Sequence, residues 1–447
     1  MKIVLPPIYE RKNDPDIDEE GDFFQRGGFS KNLTQLFRAC DESLVISVDS
    51  RWGDGKTSFV MKWIAELECG AEFIPIYYDA YKNDFTGDAF LSIATAIHEK
   101  LKLIESSSSG ATSRRQLGAL KNSMAAVATD VLKLGAGIAI TNLTGGAISG
   151  RDVSGRIGDA IGDLLAEGIK SRVDQKLKAH TEVQQHIDSY RGALQMALES
   201  SGNKKIIFFI DELDRCRPDF SIQVIEKIKH LFDVKGVFFV LSVNRQQLLS
   251  VITHAYGVSA EDAEVYFQKF IHLETKLPSI SRAIERDEES LERFFLSALR
   301  AHEFDPRNIT LGFDDLIELI GPRQLALNPR SIERVVTLAA IVLALSQDHS
   351  ARCFYLLVFV SAAIKIGDPG FYYKYYTGRK FSSYDPSDIK VGRYYKNLAK
   401  IFGKVEGNTY EGRGFEASSL HEIIDLMEIF EFPEAPWAEE YSELEDK

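Results

Sequence analysis

Runs of apolar residues alternate with segments of helical periodicity along the first quarter of the chain. Apolar runs at 44–48 and 73–78 predict two strands, and the apolar spacing over 59–67 and about 89–103 predicts a helix after each. Strands that alternate with helices are typical of a parallel sheet that is covered by helices. The pattern therefore predicts an α/β fold, a parallel sheet with helices on both faces.

The alternation of strands and helices stops after residue 104 and resumes near residue 205. Apolar runs at 205–210 and 237–241 are almost continuous, as expected of strands that are buried on both faces. Residues 116–200 show a helical pattern after a linker-like break at 106–112. We therefore predict a helical insertion between two halves of one sheet. Beyond residue 279 the pattern is helical, with helices expected at 290–302, 313–320, 331–346 and 353–366.

These patterns predict six consecutive parts of the chain. They are a weakly ordered acidic N-terminus (1–25), the first half of the core (26–104), the helical insertion (105–203), the second half of the core (204–280), an all-helical lid (281–367) and a basic aromatic stretch with an acidic tail (368–447).

Composition excludes a chain that is disordered throughout. The sequence has 447 residues, of which 45% are hydrophobic and 27% charged, and this is ordinary for a protein with a buried core. Its formal net charge of −13 gives no global attraction for nucleic acid or anionic lipid. The four cysteines are widely spaced and form no CxxC pair, so neither a zinc site nor a disulfide framework is expected.

The sequence shows no pattern of a membrane span or a signal peptide. Its longest stretch without a formal charge, 134–150, is 17 residues long and rich in Gly, Thr and Asn, whereas a spanning helix needs about 20 apolar residues. The N-terminus lacks the apolar core of a signal peptide. We therefore expect a cytoplasmic protein with no transmembrane span.

The segment 50–57, SRWGDGKT, lies between the first predicted strand and its helix. It matches the phosphate-loop pattern GxxxxGK[ST], except that Ser50 replaces the first glycine. Gly53 and Gly55 permit a tight loop whose N–H groups converge on phosphate at a helix N-terminus. Lys56 would reach the β- and γ-phosphates, and the Thr57 hydroxyl would bind Mg²⁺. The alternative is an ordinary strand-to-helix turn. The full candidate phosphate-binding set is Trp52, Gly53, Asp54, Gly55, Lys56, Thr57 and Ser58.

Carboxylates follow the strand at 205–210. Asp211 comes directly after the apolar run and is the candidate metal ligand, and Glu212 is the candidate general base that would polarise an attacking water. Neighbouring carboxylates at the end of a buried strand repel one another unless a cation is present. The alternative is a set of capping carboxylates on a solvated turn.

The next strand, 237–241, is followed by Asn244. A polar side chain at this place could sense the γ-phosphate or orient water, and it could equally cap the helix that follows. The sequence leaves both interpretations open.

These motifs together resemble the KAP family of P-loop NTPases. The resemblance covers roughly residues 20–345 and is carried by WGDGKTSF, FFIDELDRC and FFVLSVN, with support from 267–278 and from NPRSIER at 328–334. It implies a core like that of the AAA+ and STAND ATPases, ATP or GTP with Mg²⁺, and a long insertion between the two nucleotide motifs. This chain departs from the family in three ways. Ser50 replaces the first glycine of the phosphate-loop pattern, and Glu212 and Asn244 stand at positions where aspartate is frequent. The insertion is also too polar for the membrane helices that many members have there.

The resemblance also implies roles for two arginines and for partners. Arg330 would act like the sensor-2 arginine of AAA+ lids, unless it only forms a surface ion pair. Arg215 could serve as an arginine finger across a subunit interface, although such a residue more often pairs with a nearby carboxylate. Bacterial family members are linked to phage exclusion, so the resemblance suggests a role in antiviral defence. Because the sequence has no visible nuclease or protease motif, we expect a separate effector protein as partner, and we also expect a homo-oligomer.

Residues 371–404 combine aromatic and basic side chains. They hold eight Lys and Arg against two Asp, a net charge of +6, with seven Tyr and three Phe. Buried tyrosines, a protein-binding surface and a nucleic-acid surface remain open, and nucleic acid is the least favoured. The tail at 405–447 carries a net charge of −11 and is expected to be a solvated face or a shield for this stretch.

Three functional hypotheses follow. The first is an NTPase in which hydrolysis drives a conformational or assembly switch. The second is a nucleotide-binding scaffold without significant turnover. The third is a peripheral membrane signalling platform that uses residues 116–170.

Overall fold

A computed structural model describes residues 22–106, 111–144, 181–279, 289–309, 312–345 and 352–372. The chain divides into two compact units. Of the described residues, those within Ser30–Ser50 and Val60–Leu277 form the sheet unit, and those up to Phe29, within Arg51–Phe59 and from Pro278 onward form the helical unit.

The strands and helices have the following bounds. The strands are β1 Leu44–Asp49, β2 Phe73–Asp79, β3 Lys205–Asp211, β4 Val237–Val243 and β5 Leu273–Lys276. The helices are α1 Gly27–Ala39, α2 Lys56–Glu68, α3 Ala80–Asn83, α4 Ala89–Ser106, α5 Ala111–Thr144, α6 181–200, α7 Pro218–Leu231, α8 Arg245–Tyr256, α9 Ala260–Gln268, α10 Glu289–Ala301, α11 Phe313–Ile320, α12 Pro329–Leu345, α13 Arg352–Gly367 and α14 Pro369–Phe371.

The sheet unit is built on five parallel strands in the order β2-β3-β4-β1-β5. β4 is buried at every residue, because its apolar side chains face helices on both sides of the sheet. On one side, Phe37 of α1 stacks on Phe238 at 4.8 Å between ring centroids, and Trp63 of α2 meets Phe209 edge-on at 5.0 Å. On the other side, Phe232 after α7 packs against Phe239 at 5.9 Å. The predicted α/β class with a parallel sheet between helices is confirmed.

The four strands predicted from apolar runs are all present, each within two residues of its expected end. The fifth strand, β5, was missed. Its sequence is Leu-Glu-Thr-Lys, it has four residues, and three of them are exposed at the edge beside β1. A short and polar edge strand has no apolar run from which it could be predicted.

The insertion is helical where the structure describes it. α5 and α6 bury apolar side chains on the core of the sheet unit, among them Leu120 and Val127 of α5 and Tyr190 and Leu194 of α6. Thr112, which was expected in a linker, lies in α5. Residues 145–180 lie outside the described residues, and so does most of the segment proposed for a peripheral membrane contact.

The helical unit has its own core. α10 to α13 supply most of it, with Phe295, Leu319, Val336 and Phe359 among the fully buried side chains. Phe23 and Phe24 also belong to it, and the ring centroid of Phe24 lies 5.4 Å from that of Phe294. Residues 1–21 of the expected weakly ordered N-terminus lie outside the described residues. Residues 22–25, which were counted with them, are instead anchored in this core.

The chain is described at its C-terminal side only as far as Tyr372. This tyrosine is fully buried, and the ammonium of Lys365 lies 5.4 Å from its ring centroid. The rest of the basic aromatic stretch and the acidic tail, 373–447, lie outside the described residues. Within the described ranges, no helix combines the length and the apolar character needed to cross a membrane.

Replacing Trp63 by Ala is expected to destabilise the protein by about 3–5 kcal/mol. The indole is fully buried, its N–H donates to Thr34 Oγ1 at 2.8 Å, and it stacks on Phe37, so its loss leaves a cavity and removes the donor to that hydroxyl. Urea denaturation would measure the change in the free energy of unfolding. Phe85→Ala is the matched control, because this ring is 80% exposed and should change the free energy by less than about 0.5 kcal/mol. Equal losses in the two variants would contradict the assigned packing.

Candidate functional site

The carboxyl ends of the central strands carry polar residues along one edge of the sheet. Asp211, the last residue of β3, lies in register with Ser242 of β4, and Asp49, the last of β1, lies in register with Val243. The Ser50 N–H continues the ladder by donating to the Val243 carbonyl at 3.2 Å. The edge at which parallel strands end is the usual ligand-binding edge of such sheets. The motif at 50–57 therefore begins at this edge.

Asp211 and Glu212 lie where β3 ends. Asp211 is almost completely buried, and its carboxylate accepts hydrogen bonds from the Glu212 N–H at 3.0 Å and from the Tyr77 hydroxyl at 3.4 Å. Glu212 has a φ of +59°, which is rare for a residue with a side chain. Strained backbone of this kind is concentrated at functional sites.

The pKa of Glu212 is raised above its ordinary value. Burial is the main cause, the Arg215 guanidinium opposes it, and the carboxylates of Asp211, Asp214 and Asp79 add to the increase. This is the crowding of carboxylates that the sequence predicts at the strand end. Such a group holds a proton more readily and is suited to acid–base chemistry.

Arg215 forms an ion pair with Glu212 inside the same turn. The turn is a short 3₁₀ segment, Leu213–Arg215, that places the two side chains on the same side three residues apart. The structure thus shows Arg215 engaged with a neighbouring carboxylate, which is the simpler of its two expected interpretations. It also shows that the carboxylate of Glu212 is held by a cation.

Asn244 is the N-cap of α8. Its side-chain oxygen accepts a hydrogen bond from the Gln247 N–H at 3.4 Å, and the next residue, Arg245, donates its N–H to Asp49 Oδ1 at 2.9 Å. The capping interpretation is therefore present in the structure. A role of Asn244 towards phosphate stays a prediction.

The loop 51–57 belongs to the helical unit and folds back on itself. The Arg51 N–H donates to Asp54 Oδ2 at 3.1 Å, and the Lys56 ammonium donates to the Arg51 carbonyl at 3.3 Å. Gly53 and Gly55 have φ values of +88° and +80°, a conformation that glycine adopts without strain. The two glycines of the motif are thus required by the backbone of the loop.

α2 begins directly after Gly55. The first hydrogen bond of the helix runs from the Phe59 N–H to the Gly55 carbonyl at 3.0 Å. The N–H groups of Lys56, Thr57 and Ser58 therefore precede the intrahelical hydrogen bonds and point out of the N-terminal end of the helix. Such an end attracts anions, and phosphate above all.

The N-terminus of α12 lies against this loop. Asn328 caps α12 by accepting from the Ser331 N–H at 2.9 Å, and its amide lies 3.5 Å from the Trp52 carbonyl. The Arg330 N–H donates to the Gly53 carbonyl at 3.4 Å. A Cβ at Gly53 would lie only 2.9 Å from Asn328 Oδ1, so the contact leaves no room for a side chain there.

Arg330 is therefore placed beside the loop by its backbone. Its side chain is exposed and lies near Arg334, whose pKa is lowered by burial and by the charge of Arg330. The structure brings the backbone of Arg330 to the candidate phosphate loop. Whether its guanidinium acts on a ligand stays a prediction.

Arg26 is a residue of this site that the sequence analysis missed. Its guanidinium is 5% exposed and donates to the Asp54 carbonyl at 2.8 Å and to the Pro278 carbonyl at 3.0 and 3.2 Å. Burial lowers its pKa to about 10. Because Arg26 lies 28 positions before Asp54 and 252 before Pro278, no spacing rule relates it to either residue.

Within the described ranges, no three side chains of His, Cys, Asp or Glu cluster in a way that would hold a metal by themselves. Mg²⁺ is commonly bound by one or two protein ligands together with substrate phosphates. The hydroxyl of Thr57 and the carboxylate of Asp211 offer the oxygen chemistry that this ion prefers.

Comparison with known proteins gives one family match. A family model described as the KAP family P-loop domain matches residues 26–345. A search of the curated proteins found no match.

Proposed function

The chain belongs to the KAP family of P-loop NTPases, and from this premise we propose that it binds ATP or GTP with Mg²⁺ and hydrolyses the β–γ bond as a conformational or assembly switch. The observation that carries the proposal is the loop 51–57. It combines two glycines at positive φ with a helix N-terminus and a lysine that folds over the loop. These are the components of a phosphate cradle.

We propose that the loop binds the phosphates. The N–H groups of Gly53 and of Gly55 to Ser58 would face the phosphates, with Trp52 and Asp54 completing the loop, and Lys56 would leave the Arg51 carbonyl to bind the β- and γ-phosphates. An anionic phosphate is a stronger acceptor for the Lys56 ammonium than the neutral Arg51 carbonyl that it contacts at 3.3 Å. The arrangement favours a ligand with several negative charges.

Thr57 and Asp211 are the proposed holders of Mg²⁺. When bound, the ion neutralises charge on the β- and γ-phosphate oxygens. Asp211 suits this role because its carboxylate is buried and already oriented by the Glu212 N–H and the Tyr77 hydroxyl.

Glu212 is the proposed general base. It would accept a proton from the attacking water, and its raised pKa brings the carboxylate closer to the range in which a base works well near neutral pH. Its ion pair with Arg215 opposes this role, because the guanidinium stabilises the charged carboxylate. Asn244 and Arg330 are proposed to respond to the γ-phosphate, from the end of β4 and from the start of α12.

The ion pair of Glu212 and Arg215 also supports the second candidate, a nucleotide-binding scaffold with little turnover. If the pair persists when nucleotide is bound, the base stays occupied and binding alone stabilises an assembly. In either case we propose a homo-oligomer that acts through a separate effector protein, in line with bacterial relatives that are linked to phage exclusion.

The proposal is tested by measuring nucleotide binding and phosphate release with the wild-type protein. Titration with a fluorescent ATP analogue should give saturable, Mg²⁺-dependent binding, and phosphate release should follow with ATP or GTP. Light scattering with and without nucleotide would report the assembly. Tight binding without release would support the scaffold, and the absence of binding would refute both candidates.

Gly53→Ala is expected to weaken nucleotide binding. The substitution costs about 1–3 kcal/mol of backbone strain and forces Asn328 away from the loop. Gly87→Ala is the matched control, because Gly87 also has a positive φ, of +68°, but nothing within 4 Å of its Cβ position. The Kd for a fluorescent nucleotide should rise in the first variant only. A similar rise in both would show that general strain, and not the loop, is responsible.

A further inference from the structure

Three consecutive carbonyl groups of the phosphate loop are held by residues from outside it. The Trp52 carbonyl faces the Asn328 amide, the Gly53 carbonyl accepts from the Arg330 N–H, and the Asp54 carbonyl accepts from Arg26. The first two distances, 3.5 and 3.4 Å, are at the long end for hydrogen bonds, whereas the bond to Arg26 is 2.8 Å. Arg26 is thus the strongest of the three contacts.

The direction of these three carbonyl groups determines where the backbone N–H groups that follow them point. The described backbone has no cis peptide bond, and in a trans peptide the C=O and the following N–H point to opposite sides of the chain. A carbonyl of Asp54 that points to Arg26 therefore turns the Gly55 N–H away from Arg26. In the same way the carbonyls of Trp52 and Gly53 turn the N–H groups of Gly53 and Asp54 away from α12.

Several contacts fix the position of the Arg26 guanidinium beside the Asp54 carbonyl. Its backbone N–H donates to Asp22 Oδ1 at 2.8 Å, and its guanidinium lies 5.4 Å from the centroid of the Phe24 ring, which belongs to the core of the helical unit. Two further N–H bonds go to the Pro278 carbonyl, so the fork is fixed at both ends. A Cβ at Gly55 would lie 3.4 Å from Arg26 Nη1, which shows that the guanidinium covers the outer side of the loop there.

We propose that Arg26 is a positioning residue of the phosphate loop, which orients the Gly55 N–H towards the bound phosphates by holding the Asp54 carbonyl on the opposite side. This rests on the proposed function, because the loop must bind phosphate for its donors to matter. Arg26 itself touches no phosphate. Its effect reaches the ligand through one peptide group.

The test compares nucleotide affinity, turnover and stability in variants of the full chain. Arg26→Met keeps most of the side-chain volume and removes every donor, and we expect the Kd for a fluorescent ATP analogue to rise at least tenfold. Because the donors bind phosphate before and during the reaction, KM should rise by a similar factor while kcat at saturation changes less than threefold. Arg26→Lys restores one donor to the Asp54 carbonyl and should recover part of the lost affinity.

Controls separate this role from a purely structural one. Arg38→Ala removes an exposed arginine of α1, the helix that begins directly after Arg26; Arg38 pairs with Glu72, and its loss should leave the Kd unchanged. A folded Arg26→Met with wild-type Kd would overturn the proposal, as would a loss of affinity that Arg26→Lys does not reduce at all. If Arg26→Met does not fold, Arg26→Gln decides, because its shorter side chain cannot reach both carbonyls. A Kd at least fivefold above wild type supports the proposal, and a wild-type Kd overturns it.

The wild type distinguishes failure of the inference from failure of the proposed function. If the wild type binds nucleotide and Lys56→Ala binds it about 10- to 100-fold more weakly, while Arg26→Met has the wild-type Kd, only the role of Arg26 is wrong. If the wild type does not bind nucleotide, the proposed function itself fails.

Discussion

Glu212→Gln is expected to lower nucleotide turnover by about 10²- to 10⁴-fold and to leave the Kd for nucleotide close to the wild-type value. The amide keeps the size of the side chain but cannot accept the proton of the attacking water. The variant also loses the negative charge that pairs with Arg215, and this releases the arginine. We expect any resulting change in the Kd for nucleotide to be small. Phosphate release and fluorescent-nucleotide titration on the same preparation would measure both quantities.

The matched control for this substitution is Glu261→Gln. Glu261 lies exposed in the first turn of α9, so the same chemical change there should alter neither turnover nor affinity. Turnover in Glu212→Gln within threefold of the wild type would show that another group activates water. Wild-type protein that binds nucleotide without turnover would favour the scaffold, and then Arg215→Ala, which frees the carboxylate, should increase phosphate release.

Lys56→Ala is expected to weaken nucleotide binding by about 10- to 100-fold. A hydrogen bond to a charged group contributes about 1.5–3 kcal/mol, and each 1.4 kcal/mol corresponds to a tenfold change in Kd. Folding should be little affected, because the contact of the ammonium with the Arg51 carbonyl is long, at 3.3 Å, and alanine favours the first turn of α2. Titration with a fluorescent nucleotide, with melting temperature as the check on folding, measures the effect.

Lys31→Ala serves as the control for the loss of a positive charge. Lys31 is exposed on α1, and its removal should leave the Kd unchanged. If the two variants lose affinity equally, the attraction is a general electrostatic effect and not a contact with phosphate. Repeating both titrations at higher salt would separate the two, because screening weakens exposed, long-range attraction most.

The phosphate loop shares its compact unit with residues that are distant in the sequence. Arg26 lies before β1, and Asn328 and Arg330 lie at the start of α12, yet all three contact the carbonyl side of the loop. A shift at the start of α12 would therefore change the partners of Trp52 and Gly53 directly. This gives a physical route by which a nucleotide in the loop and the helices that follow the sheet could affect each other.

Local patterns were sufficient to predict most elements of the fold. Apolar runs located β1 to β4, and helical spacing located α10 to α13 within about two residues at each end. These patterns arise because burial acts on every strand or helix separately and leaves its period in the sequence. β5 was missed because an exposed edge strand of four residues has no such pattern.

The site was predicted only in part, for a related reason. Gly53, Gly55, Lys56, Asp211 and Glu212 are recognisable because phosphate chemistry requires those residue types at short, fixed spacings. The structure adds that Glu212 has positive φ and an ion pair with Arg215. The sequence offered pairing with a nearby carboxylate as one interpretation of Arg215, but the positive φ of Glu212 could not be inferred from the motif, since it depends on how the turn after β3 is packed.

The sequence by itself determined the parallel sheet, the phosphate-loop motif and the family to which the chain belongs. Each is recognised from short segments whose residues are close together along the chain. Only the tertiary structure decided that the start of α12 lies on Gly53 and that Arg26 holds the Asp54 carbonyl. Those contacts join residues up to 277 positions apart, such as Gly53 and Arg330, and a buried polar contact at that distance leaves no period in the sequence. The compact packing of the helical unit brings them together.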